Sequence, residues 1–290
     1  MDVINSLEAL NKFVVDRVEA EGSLFSQLYK AVLSRDEVIN APLKDMTSQA
    51  EDWIKDACPA HLHLNHGEYV IGGMEHIINE IKNKPNSNRA LYSLISTNKI
   101  INSQDDPIPS FLTFQCQIQS NILHCSVTFR ALEASNFMRL NLEEIRIRIM
   151  NVIENFPNIE TIELAIYSFH TYINKQQSML NKPEIDTLSV SGISNILQNE
   201  PDKLKRLIDE KLTPTTVVDI NCFEKLEEIF KENPPERLEM MTVEILENLK
   251  HVISSGEQYR EARKKTSNSL NIEHRAEEYT GYIKGLRKIL

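Results

Sequence analysis

PSFLTFQCQIQSNILHCSVTFRALEASNFMRLN, running from Pro109 to Asn141, is the stretch from which the rest of the chain can be read. Leu112, Phe114, Cys116 and Ile118 alternate with Thr113, Gln115 and Gln117. After Ser120-Asn121 the alternation resumes, with Leu123, Cys125, Val127 and Phe129 opposed by His124, Ser126, Thr128 and Arg130. Period-two apolar runs joined by two turn-prone residues predict an antiparallel hairpin with one buried face. The polar row of the second strand ends in an arginine. Such a row needs solvent, a partner or a ligand, because an unpaired buried guanidinium is costly.

Outward from the hairpin, Leu142, Ile145, Ile149, Val152, Ile153 and Phe156 predict a helix from Leu142 to about Asn155, with Asn141 as its cap. A strand from Ile159 to Phe169 follows, packing Ile162, Leu164 and Ile166 inward and delivering His170 and Tyr172 at its end. Upstream, Gly72-Gly73 precedes a helix with Met74, Ile77, Ile78 and Ile81 on one face. Pro85 to Asn88 end that helix, and Arg89 enters a short strand. Residues 1 to 35 read as helical, through Leu7, Leu10, Val14 and Val18, a stop at Gly22, and a further helical run SLFSQLYKAVLSR.

The ordered motifs between residues 74 and 174 resemble the nucleotide-binding core of thymidylate synthase. In that family a catalytic Pro-Cys opens one strand. The next strand ends in a phosphate-binding arginine, followed by an acidic residue and a base-reading asparagine. Here Ser110 stands at the position of the cysteine, and Arg130, Glu133 and Asn141 match the three that follow. IINEIKNKPNSNRALYSLIS (Ile77 to Ser96) resembles the family's helix, arginine turn and strand, with Arg89 on the second arginine and Asn88 replacing the first. SFHTYIN (Ser168 to Asn174) places His170 and Tyr172 on the residues that hold the deoxyribose 3′-hydroxyl.

The resemblance implies an α+β fold, a thymidylate synthase-like mixed sheet flanked by helices. That core spans 1–175, with a mostly helical C-terminal region at 176–290. It further implies a homodimer in which Arg89 reaches across to the partner's phosphate. LNKFVVDRVEAEG resembles the family's opening helix, but the arginine-bearing phosphate loop that should come next is missing, and so is the folate-closing C-terminal tail. Serine is an alcohol of much higher pKa than a thiol and needs a dedicated base to react. Cys116 and Cys125 cannot stand in for the missing cysteine, because alternation turns both toward the core.

The expectation is therefore a catalytically degenerate homologue that binds a pyrimidine deoxynucleotide, acting as a sensor, regulator or interaction subunit. Arg89 and Arg130 would take phosphate, Asn141 the base, and His170 and Tyr172 the sugar, with Glu133, at the position of the family's aspartate, also among the nucleotide-binding residues. One alternative is an active pyrimidine C5-modifying enzyme with another nucleophile, the only reading that brings in a folate cofactor. The other is a structural protein with no ligand.

The 290 residues carry a net charge of −10 with 41% hydrophobic and 26% charged residues. This predicts an ordered, helix-rich chain without general nucleic-acid affinity, which rests on clustered Lys and Arg. No apolar run approaches a membrane span, and the start lacks a basic-then-apolar signal. Four scattered cysteines (58, 116, 125, 222) predict reduced thiols in a cytoplasm. Cys58, His61, His63 and His66 lie close together, yet their spacing fits no standard zinc motif, and no metal is expected. From 176 on, apart from a candidate strand Thr215 to Ile220, helical periods dominate. Examples are Leu204, Leu207 and Ile208, then Phe223, Leu226, Ile229 and Phe230, then Val243, Leu246, Leu249 and Val252, with a last helix from about Ile272. These helices offer a surface for a protein partner. The basic cluster Arg260, Arg263, Lys264 and Lys265 reads as a solvated helix face.

Overall fold

The computed structural model describes residues 3–103, 107–174, 181–213, 217–265 and 270–290. The chain divides into two compact units. One comprises Met1–Pro59, Leu64–Asn102 and Ile108–Met179, and the other Ala60–His63, Ser103–Pro107 and Leu180–Leu290.

The first unit opens with α1 (Leu7–Glu21). The Ser6 hydroxyl caps it by accepting from the Ala9 N–H, and Leu7, Leu10, Val14 and Val18 form its buried stripe. Gly22 ends it at φ +81°, in the left-handed region that favours glycine. The helical reading of the following segment is overturned, because Leu24–Ser34 is an eleven-residue strand, β1. Tyr29, Ala31 and Leu33 alternate into the core while Leu28 and Val32 are apolar on the other face. Apolar residues on both faces mask a period of two, and pairing with a distant strand settles the conformation.

Next come α2 (Arg35–Asn40), α3 (Thr47–Trp53) and a 3-10 turn at Gly67–Tyr69. Gly67 passes so close to the backbone of Ile54 and Lys55 that a Cβ would stand 2.1 Å from the Lys55 carbonyl oxygen. Then follow α4 (Gly73–Asn83), β2 (Leu91–Ser93), α5 (Thr97–Asn102), β3 (Phe111–Gln119), β4 (Ile122–Phe129), β5 (Leu132–Glu133), α6 (Phe137–Asn155) and β6 (Thr161–Tyr172).

The hairpin forms as expected. β3 and β4 pair antiparallel with Cys116 opposite Cys125, and Ser120 takes φ +56° in the two-residue turn. A bulge at Leu112 resets the phase, so Phe111 enters the core with Phe114 while Leu112 is only half-buried. The six-stranded mixed sheet runs β1-β6-β4-β3-β2, with β5 beside β6. β6 is antiparallel to β1 and parallel to both β4 and β5. Helices α1, α4 and α6 pack on one sheet face, enclosing a core that includes Phe114, Val127, Ile145, Ile149 and Leu164.

Helix α6 starts earlier than expected, at Phe137, so Asn141 is not its cap but lies in its second turn. Its charged side is buried as well: Glu143, Glu144, Arg146 and Arg148 are all at most 5% exposed. The acids and bases are neighbours at three- and four-residue spacing and pair with one another. Arg146 holds Glu143 through Nε–Oε2 and Nη2–Oε1 contacts of 2.8 Å each, and Glu143 also accepts from Leu43 N–H and Thr47 Oγ1. Glu144 pairs with Arg148 at 2.6 Å.

The second unit consists of α7 (Glu184–Thr187), α8 (Val190–Asn199), α9 (Pro201–Glu210), α10 (Asn221–Glu232), a 3-10 turn (Glu236–Met241), α11 (Thr242–Lys265) and α12 (Leu270–Ile289). Its core includes Leu204, Leu207, Phe223, Leu226, Leu249, Val252 and Ile283. Val243, expected on the apolar stripe, is 72% exposed. Of the candidate strand, Thr215 and Thr216 lie outside the described residues, and Val217 to Ile220 form no strand. No helix of the described residues is long and apolar enough to cross a membrane.

Candidate functional site

Four of the sequence-predicted residues converge where β4, β5 and β6 end. β4 leads into Arg130, whose backbone N–H donates to the Ser110 carbonyl at 2.9 Å. Its guanidinium donates from Nε to the Pro109 carbonyl (3.2 Å) and from Nη2 to the Ile108 carbonyl (3.0 Å). Among the described residues no carboxylate forms an ion pair with it. Although the residue is exposed as a whole, burial of its head group lowers the pKa, opposed by Tyr172.

Glu133 pairs in register with Tyr172 across β5 and β6. Burial raises the Tyr172 pKa, Glu133 raises it further, and Arg130 opposes both. The three groups thus share one electrostatic neighbourhood. The His170 ring stacks on Tyr172 with centroids 5.0 Å apart, and on its other side Phe25 of β1 stacks on it at 4.6 Å and 7°. The three rings form a ladder, with Phe25 59% exposed. Beside Phe25, Ser26 takes φ +53° and, with Phe169, drops out of the β1–β6 pairing register.

Glu133 is committed to the protein. One carboxylate oxygen accepts from Ser135 N–H, Ser135 Oγ and Asn174 N–H; the other accepts from Asn136 N–H (2.8 Å) and Phe137 N–H (3.1 Å). It therefore caps α6 from four residues upstream and ties the end of β6 to the helix start. A negative charge there also suits the helix dipole. Within the chain Glu133 thus has a positioning role at the start of α6.

Asn141 is 6% exposed, and its side-chain amide makes no hydrogen bond among the described residues. Its amide atoms are nevertheless not among the buried polar atoms that lack a partner, so they keep contact with solvent and can meet a ligand there. Ser110 is half-buried, and among the described residues its hydroxyl is hydrogen-bonded to neither a histidine nor a carboxylate. No activated nucleophile is assembled there.

Arg89 does not join the cluster within one chain. It is exposed, in the turn before β2, and Leu91 pairs with Gln115. This puts it level with Gln117, seven residues along β3 from Ser110, or about 23 Å at 3.3 Å per residue.

The four weak metal candidates are used differently. Cys58 Sγ contacts the Pro59 carbonyl at 3.7 Å. His66 is buried in the first unit, with Nδ1 2.8 Å from Trp53 Nε1 and 2.7 Å from Glu144 Oε2. His61 and His63 belong to the second unit. Among the described residues, no group of three or more His, Cys, Asp or Glu side chains is disposed to hold a metal ion.

Hollows lined by described residues also occur elsewhere. One of about 560 Å³ lies over the sheet, lined by Lys30, Val32, Gln115, His124, Ser126 and Glu163 among others. Another of about 470 Å³ lies in the second unit beside Ser189, Ser194, Glu228 and Glu232. Neither is lined by Arg130, Asn141, His170 or Tyr172. The corner at Arg130 outweighs these hollows because it joins a guanidinium that meets no carboxylate among the described residues to an exposed aromatic ladder.

Phe25, Trp53, His66, Glu144 and Arg148 had no signal in the sequence that tied them together. For Phe25 the trace was the period-two run of β1, read as helix. Comparison with protein-family models gives no match, and comparison with curated proteins gives none either.

Proposed function

We propose that this chain is a thymidylate synthase-like protein that binds a pyrimidine deoxynucleoside monophosphate at the corner where β4, β5 and β6 end, and does not turn it over. The observation that carries this reading is the Arg130 guanidinium, which among the described residues donates only to the Pro109 and Ile108 carbonyls and meets no carboxylate, in one electrostatic neighbourhood with Tyr172. A phosphate would complete Arg130 by charge-assisted hydrogen bonds. A pyrimidine edge, which presents both donors and acceptors, would complete Asn141. The exposed ring ladder Phe25–His170–Tyr172 supplies a surface for a sugar or base. An active C5-modifying enzyme is disfavoured by the unactivated Ser110 hydroxyl.

Calorimetry with dUMP, dTMP and dTTP tests the reading. Saturable heat is expected for at least one of them. Arg130→Ala should weaken it at least about tenfold, the loss of one or two charge-assisted bonds, and Asn141→Ala should weaken it with little change in the folded circular dichroism. Equal, negligible heats for all three nucleotides end the proposal. Release of tritium from dUMP labelled at C5 would instead favour the enzyme.

The same reading includes a homodimer. The sheet face opposite α1, α4 and α6 carries Leu28, Val32, Tyr167 and Phe169, each at least 38% exposed, a row of large apolar groups that a second copy would cover. A shared interface would also supply Arg89 to the partner's phosphate. Light scattering should give twice the chain mass for wild type and a monomer for Tyr167→Asp. A monomeric wild type at micromolar concentration removes this part.

A further inference from the structure

The geometry points to Cys116 and Cys125 as a redox-active dithiol, a modification site at which the β3–β4 hairpin closes a disulfide. The two residues are directly opposite in the hairpin register, with their sulfurs 3.5 Å apart. Cys116 donates its backbone N–H to Ala90, away from β4. Its carbonyl therefore also turns toward β2, and the Cys116–Cys125 pair is of the non-hydrogen-bonded kind. Antiparallel strands come closest at such pairs, with Cα atoms about 4.5 Å apart, inside the window of about 4.4–6.8 Å that disulfides occupy. Both side chains already face the same way, so closure needs the sulfurs to approach by about 1.5 Å, without a change of register.

Chemically, the Cys125 thiolate attacks one sulfur of a low-molecular-weight disulfide such as oxidised glutathione and expels a thiolate. The Cys116 thiolate then attacks the Cys125 sulfur of the mixed disulfide and expels the second thiol. The protein loses two hydrogens and the small disulfide is reduced to two thiols. Cys125 is given the first step because it is the slightly exposed partner, at 3% against 0% for Cys116. Burial of both sets the rate, so exchange proceeds through opening of the hairpin or during folding. The link would lock the hairpin whose ends are Ser110 and Arg130, but the inference stands on the register and the sulfur contact and is independent of any nucleotide.

The test is refolding of the full wild-type chain from urea in glutathione buffers of rising disulfide content, followed by acid quench, alkylation and tryptic mass analysis. Cleavage after Lys99 and Arg130 leaves both cysteines, and no others, in one peptide. That peptide is expected to lose two mass units and refuse alkylation, while Cys58 and Cys222 remain alkylatable. The folded chain should close the pair at a disulfide-to-thiol ratio at least about tenfold lower than the same chain kept in urea, since only the fold holds the thiols together. In Cys125→Ser the loss of two mass units should vanish. If the wild-type peptide stays fully alkylatable after refolding in excess oxidised glutathione, closes no more readily than in urea, or if the link forms between other cysteines, the inference is overturned.

Discussion

Glu144→Ala is expected to destabilise the sheet unit by about 3–5 kcal/mol, the cost of stranding a buried charge. Glu144 is wholly buried, and its Oε1 takes the Arg148 Nη2 and Nε hydrogens at 2.6 and 3.0 Å, while Oε2 lies 2.7 Å from His66 Nδ1. Removing the carboxylate leaves the Arg148 guanidinium 3% exposed, between the rings of Tyr92 (5.4 Å) and Phe111 (6.0 Å), which cannot neutralise it. The double replacement Glu144→Leu with Arg148→Met removes both charges and should recover most of the loss. Paired burial of ions is close to neutral against apolar packing, whereas a half-pair is not. The only tryptophan of the chain, Trp53, has its indole nitrogen 2.8 Å from His66 Nδ1, so its fluorescence in a urea titration reports this network directly. A loss below about 1 kcal/mol for the single replacement would mean that the charges are solvated after all.

The same carboxylate sets the sign of an acid response. Burial pushes the Glu144 pKa up, but His66 and Arg148 outweigh it and hold the group below the ordinary glutamate value of 4.5. Because the unfolded chain binds the proton more readily, the stabilisation is complete above pH 4.5 and drains away as pH falls through the depressed folded value.

How far the sequence reveals this molecule depends on the range of the interaction. The hairpin, α4, β6 and most of the C-terminal helices are legible because their apolar periods are local. β1 is not, because Leu28 and Val32 put apolar residues on its outer face and its strand state is imposed by β6, more than a hundred residues away. The start of α6 is misread for a related reason. Asn141 is a good capping residue type, but the N–H groups of Asn136 and Phe137 are taken by the Glu133 side chain, reaching forward from β5. The candidate site divides in the same way. Arg130, His170 and Tyr172 are found from their place at strand ends. The ring of Phe25 against His170, and the saturation of Glu133, are matters of tertiary register that no local pattern encodes.

His63 should make the helical unit lose stability in a different pH window from the sheet unit. Burial is the main cause that brings its pKa from 6.5 down to about 4; Asp219 opposes the shift, and the ammonium groups of Lys182 and Lys211 add to it. The folded unit therefore prefers the neutral imidazole, while the unfolded chain takes up a proton. Stability is full above pH 6.5, begins to fall below it, and has lost the whole contribution by about pH 4. At 1.36 kcal/mol per pH unit the loss is at most about 3 kcal/mol, and less for a half-buried ring partly screened by water. Asp186 works the other way. Burial raises its pKa above 3.8 more than Lys211 lowers it, so as pH falls from that raised value toward 3.8 the folded unit takes up the proton first and part of the His63 loss is offset. Urea titrations followed by far-ultraviolet circular dichroism, to which the helices of both units contribute, should show the decline between pH 6.5 and about 4. The Trp53 signal should hold until the Glu144 range is reached. His63→Gln, which cannot take the proton, should flatten the circular-dichroism profile in that window, and an unchanged slope in the variant would assign the decline to other groups.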